Sequence, residues 1–343
     1  MIFEYKDKKF NTITLQFLKR PLDKRYNTIA SLLKKYDRDD IAYVICDSKV
    51  LECVKTLVNT KLYKKYDKVI VHMTELYWDE FNADYPLLST LKDNIHIIFN
   101  FFSKESPYKL LKNTYTSIGS FGDITELYLK KYNLDKKEPK YNLISKLGRP
   151  NEERNIFCKG LRDYKSFVYS INAFQEQYGE FEKNSIEQKL FESEVELHNK
   201  AKNHEIDNDF KSYTLPNEDF QSIFSLDIET RTTQYDNCHW LVSCTEKTLK
   251  SFMFKRPSIN VIQKEAYDYL ESFGFEFPNY FGLDHKTQQL EICKRICELS
   301  LEECKEFSLQ YKDVYERNYQ KLLDFLEHHK NKLENIFYEL YHK

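Results

Sequence analysis

Short, nearly unbroken apolar runs alternate with amphipathic stretches through the first half of this chain, and that alternation leaves few folds open. Ile41-Ala-Tyr-Val-Ile-Cys46, Val69-Ile-Val-His-Met73 and Ile95-His-Ile-Ile-Phe-Asn-Phe-Phe102 have strand length and are rich in β-branched and aromatic residues. Between them, Ser48 to Leu62 and Tyr85 to Lys92 fit helices, the first capped by Asp47 or Ser48 through a hydrogen bond from a free first-turn amide. Strand, helix, strand in that order is the pattern of βαβ units on a mostly parallel sheet, so a Rossmann-like half is expected. Ligands gather at the carboxyl ends of strands in such sheets, which brings Asp47, Glu75 and the turn Gly119-Ser-Phe-Gly-Asp123 to any cleft.

A second series starts near Tyr141. Asn142-Leu-Ile-Ser145 leads into Lys146-Leu-Gly-Arg-Pro150 and a charged helix from about Asn151. A polar helix is expected at Ser185 to Glu205, then strands at Ser222 to Ile228 and around Trp240 to Ser243, and a helix starting at Thr245. Residues 287–343 contain almost no breaker, and Ser300-Leu-Glu-Glu303 is a capping box, so a helix pair should close the chain. With 343 residues, two cores are expected, one over 1–138 and one over 139–286, with helices over 287–343 packing back on both.

Composition removes several function classes. Lys+Arg 52 against Asp+Glu 54 gives a formal net charge of -2, so no overall field draws the chain to nucleic acid or an anionic membrane. Charges interrupt every apolar run of MIFEYKDKKF, and nowhere do 18 apolar residues follow one another; a cytoplasmic protein with no transmembrane segment is expected. The eight cysteines form no CxxC pair and are expected to be buried thiols. No Walker A loop, HExxH helix or Ser-His-Asp pattern occurs, and Gly 7 leaves little material for a phosphate-binding glycine loop.

The segment from Leu226 to Val261 carries the most chemistry. A strand ends in the carboxylate of Glu229, and after a polar turn a helix opens with Thr245-Glu246-Lys247. Free amides and a positive dipole at a helix start suit a phosphate, Lys247 adds a full charge, and Glu246 could accept from ribose hydroxyls. The same three residues also suit ordinary capping with a solvated ion pair. Arg149 and Arg154, flanking Glu152 and Glu153, likewise fit either an anion site or a surface cluster at a helix start.

In this region the chain resembles the donor-binding half of the fucosyltransferase-like glycosyltransferases and related viral and bacterial glycosyltransferases. The matching residues are Glu229-Thr230, Thr245-Glu246-Lys247, Arg256-Pro257, Tyr269-Leu-Glu-Ser-Phe-Gly-Phe275 and, upstream, Gly148-Arg149-Pro150 with Arg154. After the family's proline an apolar residue and a glycine usually follow, whereas this chain has Ser258-Ile-Asn-Val261, so the fucose of the best-known relatives is not carried over. The resemblance covers roughly residues 140–280 and implies an α/β, GT-B-like fold, two Rossmann-like domains facing a cleft, with C-terminal helices. It implies a donor site of Arg149, Arg154, Glu229, Thr245, Glu246 and Lys247, with the cations on the diphosphate and Glu246 on the ribose. It implies a nucleotide-diphosphate sugar as donor substrate, no other cofactor and no metal; Asp37-Arg-Asp39, in a polar turn before the first clear strand, is no Asp-x-Asp metal motif.

Inverting transfer needs a base for the acceptor hydroxyl's proton. Glu75 after the second apolar run is the first candidate, followed by Asp47 and Asp123; each also suits a helix cap. The acceptor is expected to be a glycan, a lipid-linked saccharide or a protein. Nucleic acid is a second expectation, since the Lys/Asn/Tyr-rich composition is compatible with an AT-rich viral genome and Tyr63-Lys-Lys-Tyr66 and Tyr128-Leu-Lys-Lys-Tyr132 carry suitable residues. A noncatalytic binding protein on the same fold is a third.

Overall fold

The computed structural model describes residues 2–5, 13–17, 27–46, 50–73, 91–99, 113–117, 123, 125–126, 128–130, 137–148, 152–171, 217–229 and 245–342. The chain is a mixed α/β protein in two compact units: Met1–Leu127, Gln234–Ser243 and Asp324–Lys343 form the first, Tyr128–Thr233 and Cys244–Leu323 the second. No described helix is long and apolar enough to cross a membrane.

In the first unit six strands lie in sequence order: β1 (Ile2–Tyr5), β2 (Ile13–Phe17), β3 (Ile41–Cys46), β4 (Lys68–Met73), β5 (Ile95–Phe99) and β6 (Thr114–Thr116). The first pair is antiparallel and every later pair parallel. The β3 to β5 runs are mostly apolar because both sheet faces are covered. Ala42, Val44, Cys46, Val71 and Ile97 pack on helix α2 (Val50–Asn59). Tyr43, Ile45, Ile70 and Ile98 pack on α1 (Asn27–Lys35) and on Leu333, Phe337 and Tyr341 of the closing helix. That helix's last carbonyls are satisfied by two cations: Lys68 Nζ donates to Leu340 O (2.6 Å) and Arg38 Nη1 to Tyr341 O (2.7 Å). His72 lies in the same layer, its Nδ1 paired with the Tyr43 hydroxyl, and burial pushes its pKa down to about 3.

The second unit holds a fully parallel sheet, β7 (Tyr141–Gly148), β8 (Phe167–Ile171), β9 (Ser222–Ile228) and β10 (Ser258–Val261), in the order β10-β9-β7-β8. Its helices are α3 (Glu152–Leu161), α4 (Asn217–Phe220), α5 (Glu246–Met253), α6 (Lys264–Ser272), α7 (Gln289–Glu298) and α8 (Leu301–Leu309); α9 (Lys312–His342) begins here and ends in the first unit. One face, with Leu143, Phe167, Phe224, Leu226 and Ile259, packs against Cys158 and Leu161 of α3, Ile292 and Ile296 of α7 and Cys304 of α8. The six described cysteines form no disulfide and are buried; desolvation pushes Cys297 and Cys304 to about 12, which keeps them as unreactive thiols.

The capping box at Ser300 is present in both directions, Ser300 N donating to Glu303 Oε2 (2.8 Å) and Glu303 N to Ser300 Oγ (3.3 Å). Three helices rather than a pair close the chain, because Leu299 and Gln310 each end a helix. Gly274 (φ 89°) ends α6: its N–H reaches Glu271 O (2.8 Å) and Phe275 N reaches Leu270 O (3.2 Å), a left-handed cap that favours glycine. The expected helices at 85–92 and 185–205 and the strand at 240–243 lie wholly or largely outside the described residues.

Candidate functional site

Strand order decides where a ligand can enter the second unit. From β7 the chain runs through α3 to β8 on one side, then crosses back to β9 on the other, so the direction of winding reverses between β7 and β9. Helices on either side of such a reversal diverge and leave a crevice at the carboxyl ends of the two strands. Those ends are Gly148 and Ile228, followed by the start of α3 and by Glu229.

Glu229 is fully buried and turned onto the start of α5. Its Oε1 accepts from Thr245 N–H (2.9 Å) and the Thr248 hydroxyl (2.7 Å), and the Thr245 hydroxyl lies 2.9 and 2.7 Å from its two oxygens. A carboxylate from β9 therefore occupies the positive end of the α5 dipole and fixes that helix to the sheet. Thr245 is the N-cap, its Oγ1 accepting from Lys247 N (3.3 Å). The Lys247 ammonium is 3.4 Å from the same oxygen and partly buried.

Arg154, on the first turn of α3, is 1% exposed, and its Nη2 donates to Ile228 O (2.8 Å), so it braces the end of β9 from the β7 side. Beside it, desolvation lifts Glu153 to about 6. Of the other expected donor-site residues, Glu246 is the first residue of α5, and Arg149 lies outside the described residues. Arg154, Glu229, Thr245 and Lys247 thus gather at the carboxyl end of β9.

Under α5 lies a polar layer that sequence reasoning did not single out. The Asp219 Oδ1 of α4 is 3.1 Å from Arg256 Nη2 and 3.7 Å from Lys250 Nζ, and Arg256 Nη1 donates to the Asp219 carbonyl. Asp227, on β9, completes a buried set of two acids and two bases. Burial outweighs the neighbouring Lys250 and Arg256 and lifts Asp227 to about 6. The available signal was a carboxylate inside the apolar run Ile223 to Ile228.

Among the expected bases, Asp47 and Glu75 lie outside the described residues. Asp123, in the first unit, is buried; its Oδ2 accepts from Thr28 N (3.0 Å) and its Oδ1 from the Thr28 hydroxyl, so it caps the first turn of α1 across 95 residues of sequence. Burial lifts it to about 6 despite those bonds. Among the described residues, no group of three or more His, Cys, Asp or Glu is arranged to hold a metal. Comparison of the chain with protein-family models, with curated proteins and with solved structures finds no match.

Proposed function

We propose that the chain is a glycosyltransferase of the GT-B type that seats the nucleoside diphosphate of its donor at the β7/β9 crevice. The observation that carries this reading is the winding reversal, with Lys247 on the first turn of the helix that Glu229 fixes to the end of β9. Lys247 and Arg149 meet the diphosphate, Glu246 the ribose, while Glu229 and Arg154 hold α5 and β9 in place. As the acceptor oxygen bonds to the anomeric carbon, the carbon–oxygen bond to the diphosphate breaks, and fixed cations stabilise the charge that grows on the departing group. The acceptor's proton passes to a carboxylate, with Glu75 ahead of Asp47 and Asp123. The acceptor is a glycan, a lipid-linked saccharide or a protein.

The test is a thermal-shift titration with GDP, UDP, ADP, CMP and dTDP, with and without magnesium. A ligand that binds only the native chain raises its stability, by about 2.7 kcal/mol at a hundredfold excess over Kd. One nucleoside diphosphate should stabilise the parent, and Lys247→Ala should lose that response while keeping its unliganded midpoint within about 0.5 kcal/mol. No response from the parent, or an equal response from folded Lys247→Ala, overturns the proposal.

A further inference from the structure

A concavity lies in the first unit, lined by none of the residues assigned above. It has a volume of about 480 Å³ and is walled by Tyr115 of β6 and by His328, Asn331, Lys332, Asn335 and Glu339 along one face of α9, with Ile336 at its floor. Its size falls within the range of about 300–1,000 Å³ usual for small-ligand sites. Lys332 Nζ lies 3.1 Å from Thr116 Oγ1, which ties the helix to the edge strand and fixes the groove's width.

The lining chemistry narrows the ligand class. Asn331 and Asn335 stand one helical turn apart, so their carboxamides are neighbours, and each offers both donors and an acceptor. Lys332 and Glu339 carry opposite charges, so the wall has no excess of cations to select phosphate or a nucleic-acid backbone. Tyr115 is partly buried beside the His96 ring (centroids 6.4 Å apart), and Ile336 is buried, which supplies apolar surface next to the amides. Paired donors and acceptors beside an aromatic ring, without net charge, match a pyranose, whose edge is hydroxyls and whose face is C–H. We propose that this groove binds an uncharged saccharide. As the place where an acceptor glycan is held, it rests on the sugar-transfer reading; as a binding site it stands alone.

Saturation-transfer NMR on the full chain with cellobiose, lactose, maltose and chitobiose tests it. At least one disaccharide should receive saturation from the parent. Asn331→Ala/Asn335→Ala, which replaces two exposed helix positions by the best helix former, should bind that disaccharide about 30-fold more weakly. The thermal response to nucleoside diphosphates should be the same in this variant as in the parent. Absence of transfer to all four disaccharides, or transfer surviving in the double variant, overturns the groove assignment. A disaccharide signal that obeys the double variant in a chain no nucleoside diphosphate stabilises keeps the groove and removes the donor site.

Discussion

Replacing Glu229 by Gln isolates what a single buried carboxylate does for the candidate site. In the parent one amide N–H and two hydroxyls, from Thr245 and Thr248, converge on two carboxylate oxygens at 2.7–2.9 Å. Glutamine keeps one acceptor oxygen and puts an NH₂ where the other stood, so the donors lose a charged acceptor and the Thr245 hydroxyl faces a donor on one side. A hydrogen bond to a charged acceptor contributes about 1.5–3 kcal/mol, and a negative charge at a helix start up to about 2 kcal/mol when partly buried. The residual oxygen recovers part of this, so the local opening free energy of α5 should fall by about 2–4 kcal/mol. Hydrogen exchange followed by mass spectrometry reads that directly: residues 246–253 should exchange about 30- to 1,000-fold faster in Glu229→Gln, with β3 and β4 unchanged. Protection of α5 within about twofold of the parent would refute the assignment of Glu229 as the anion that fixes this helix.

Acid should affect the two units differently. His72 and His329, both in the first unit, are held neutral by burial with pKa values of about 3, so the stability they contribute is present above about 6.5 and lost as pH falls below it. Between pH 7 and 5 each loses about 2 kcal/mol, while Asp123, raised to about 6, returns about 1 kcal/mol, a net loss of roughly 3 kcal/mol. In the second unit His285, lowered to about 4, and Asp227, raised to about 6, nearly offset. Exchange protection of β3–β5 should therefore fall at pH 5 far more than that of β9 and β10, and equal falls would sink the argument. Arg256→Met leaves Asp219 and Asp227 buried with Lys250 alone and should cost about 3–5 kcal/mol in urea denaturation. Adding Asp219→Leu should recover much of that loss; a single variant within about 1 kcal/mol of the parent would show that the pair is solvated rather than buried.

Much of the architecture was legible because it is encoded among near neighbours. The apolar runs at Ile41, Val69 and Ile95 became β3, β4 and β5, and the run Ser222 to Ile228 became β9. Thr245 and Ser300 announced themselves as N-caps because the groups they satisfy lie within three residues. Charge and apolar spacing sufficed for these, since periodicity and first-turn hydrogen bonds are set by backbone geometry alone.

The roles of the polar side chains were decided elsewhere. Glu229 shows from sequence only a carboxylate at a strand end; that it caps a helix 16 residues away depends on where α5 lands on the sheet. Asp123 was expected near a cleft and instead meets Thr28, 95 residues distant, while Asp219 finds Arg256 across 37. Arg154 reads as a surface residue balanced by Glu152 and Glu153, yet the crossover from β7 to β8 seats α3 where its guanidinium is buried against Ile228. Sequence by itself determined β3, β4, β5 and β9, the caps at Thr245 and Ser300 and the α/β class, because each follows from interactions along a few successive residues. Tertiary structure alone decided which buried charges meet, because a polar side chain taken out of water takes whatever partner the strand order brings to it.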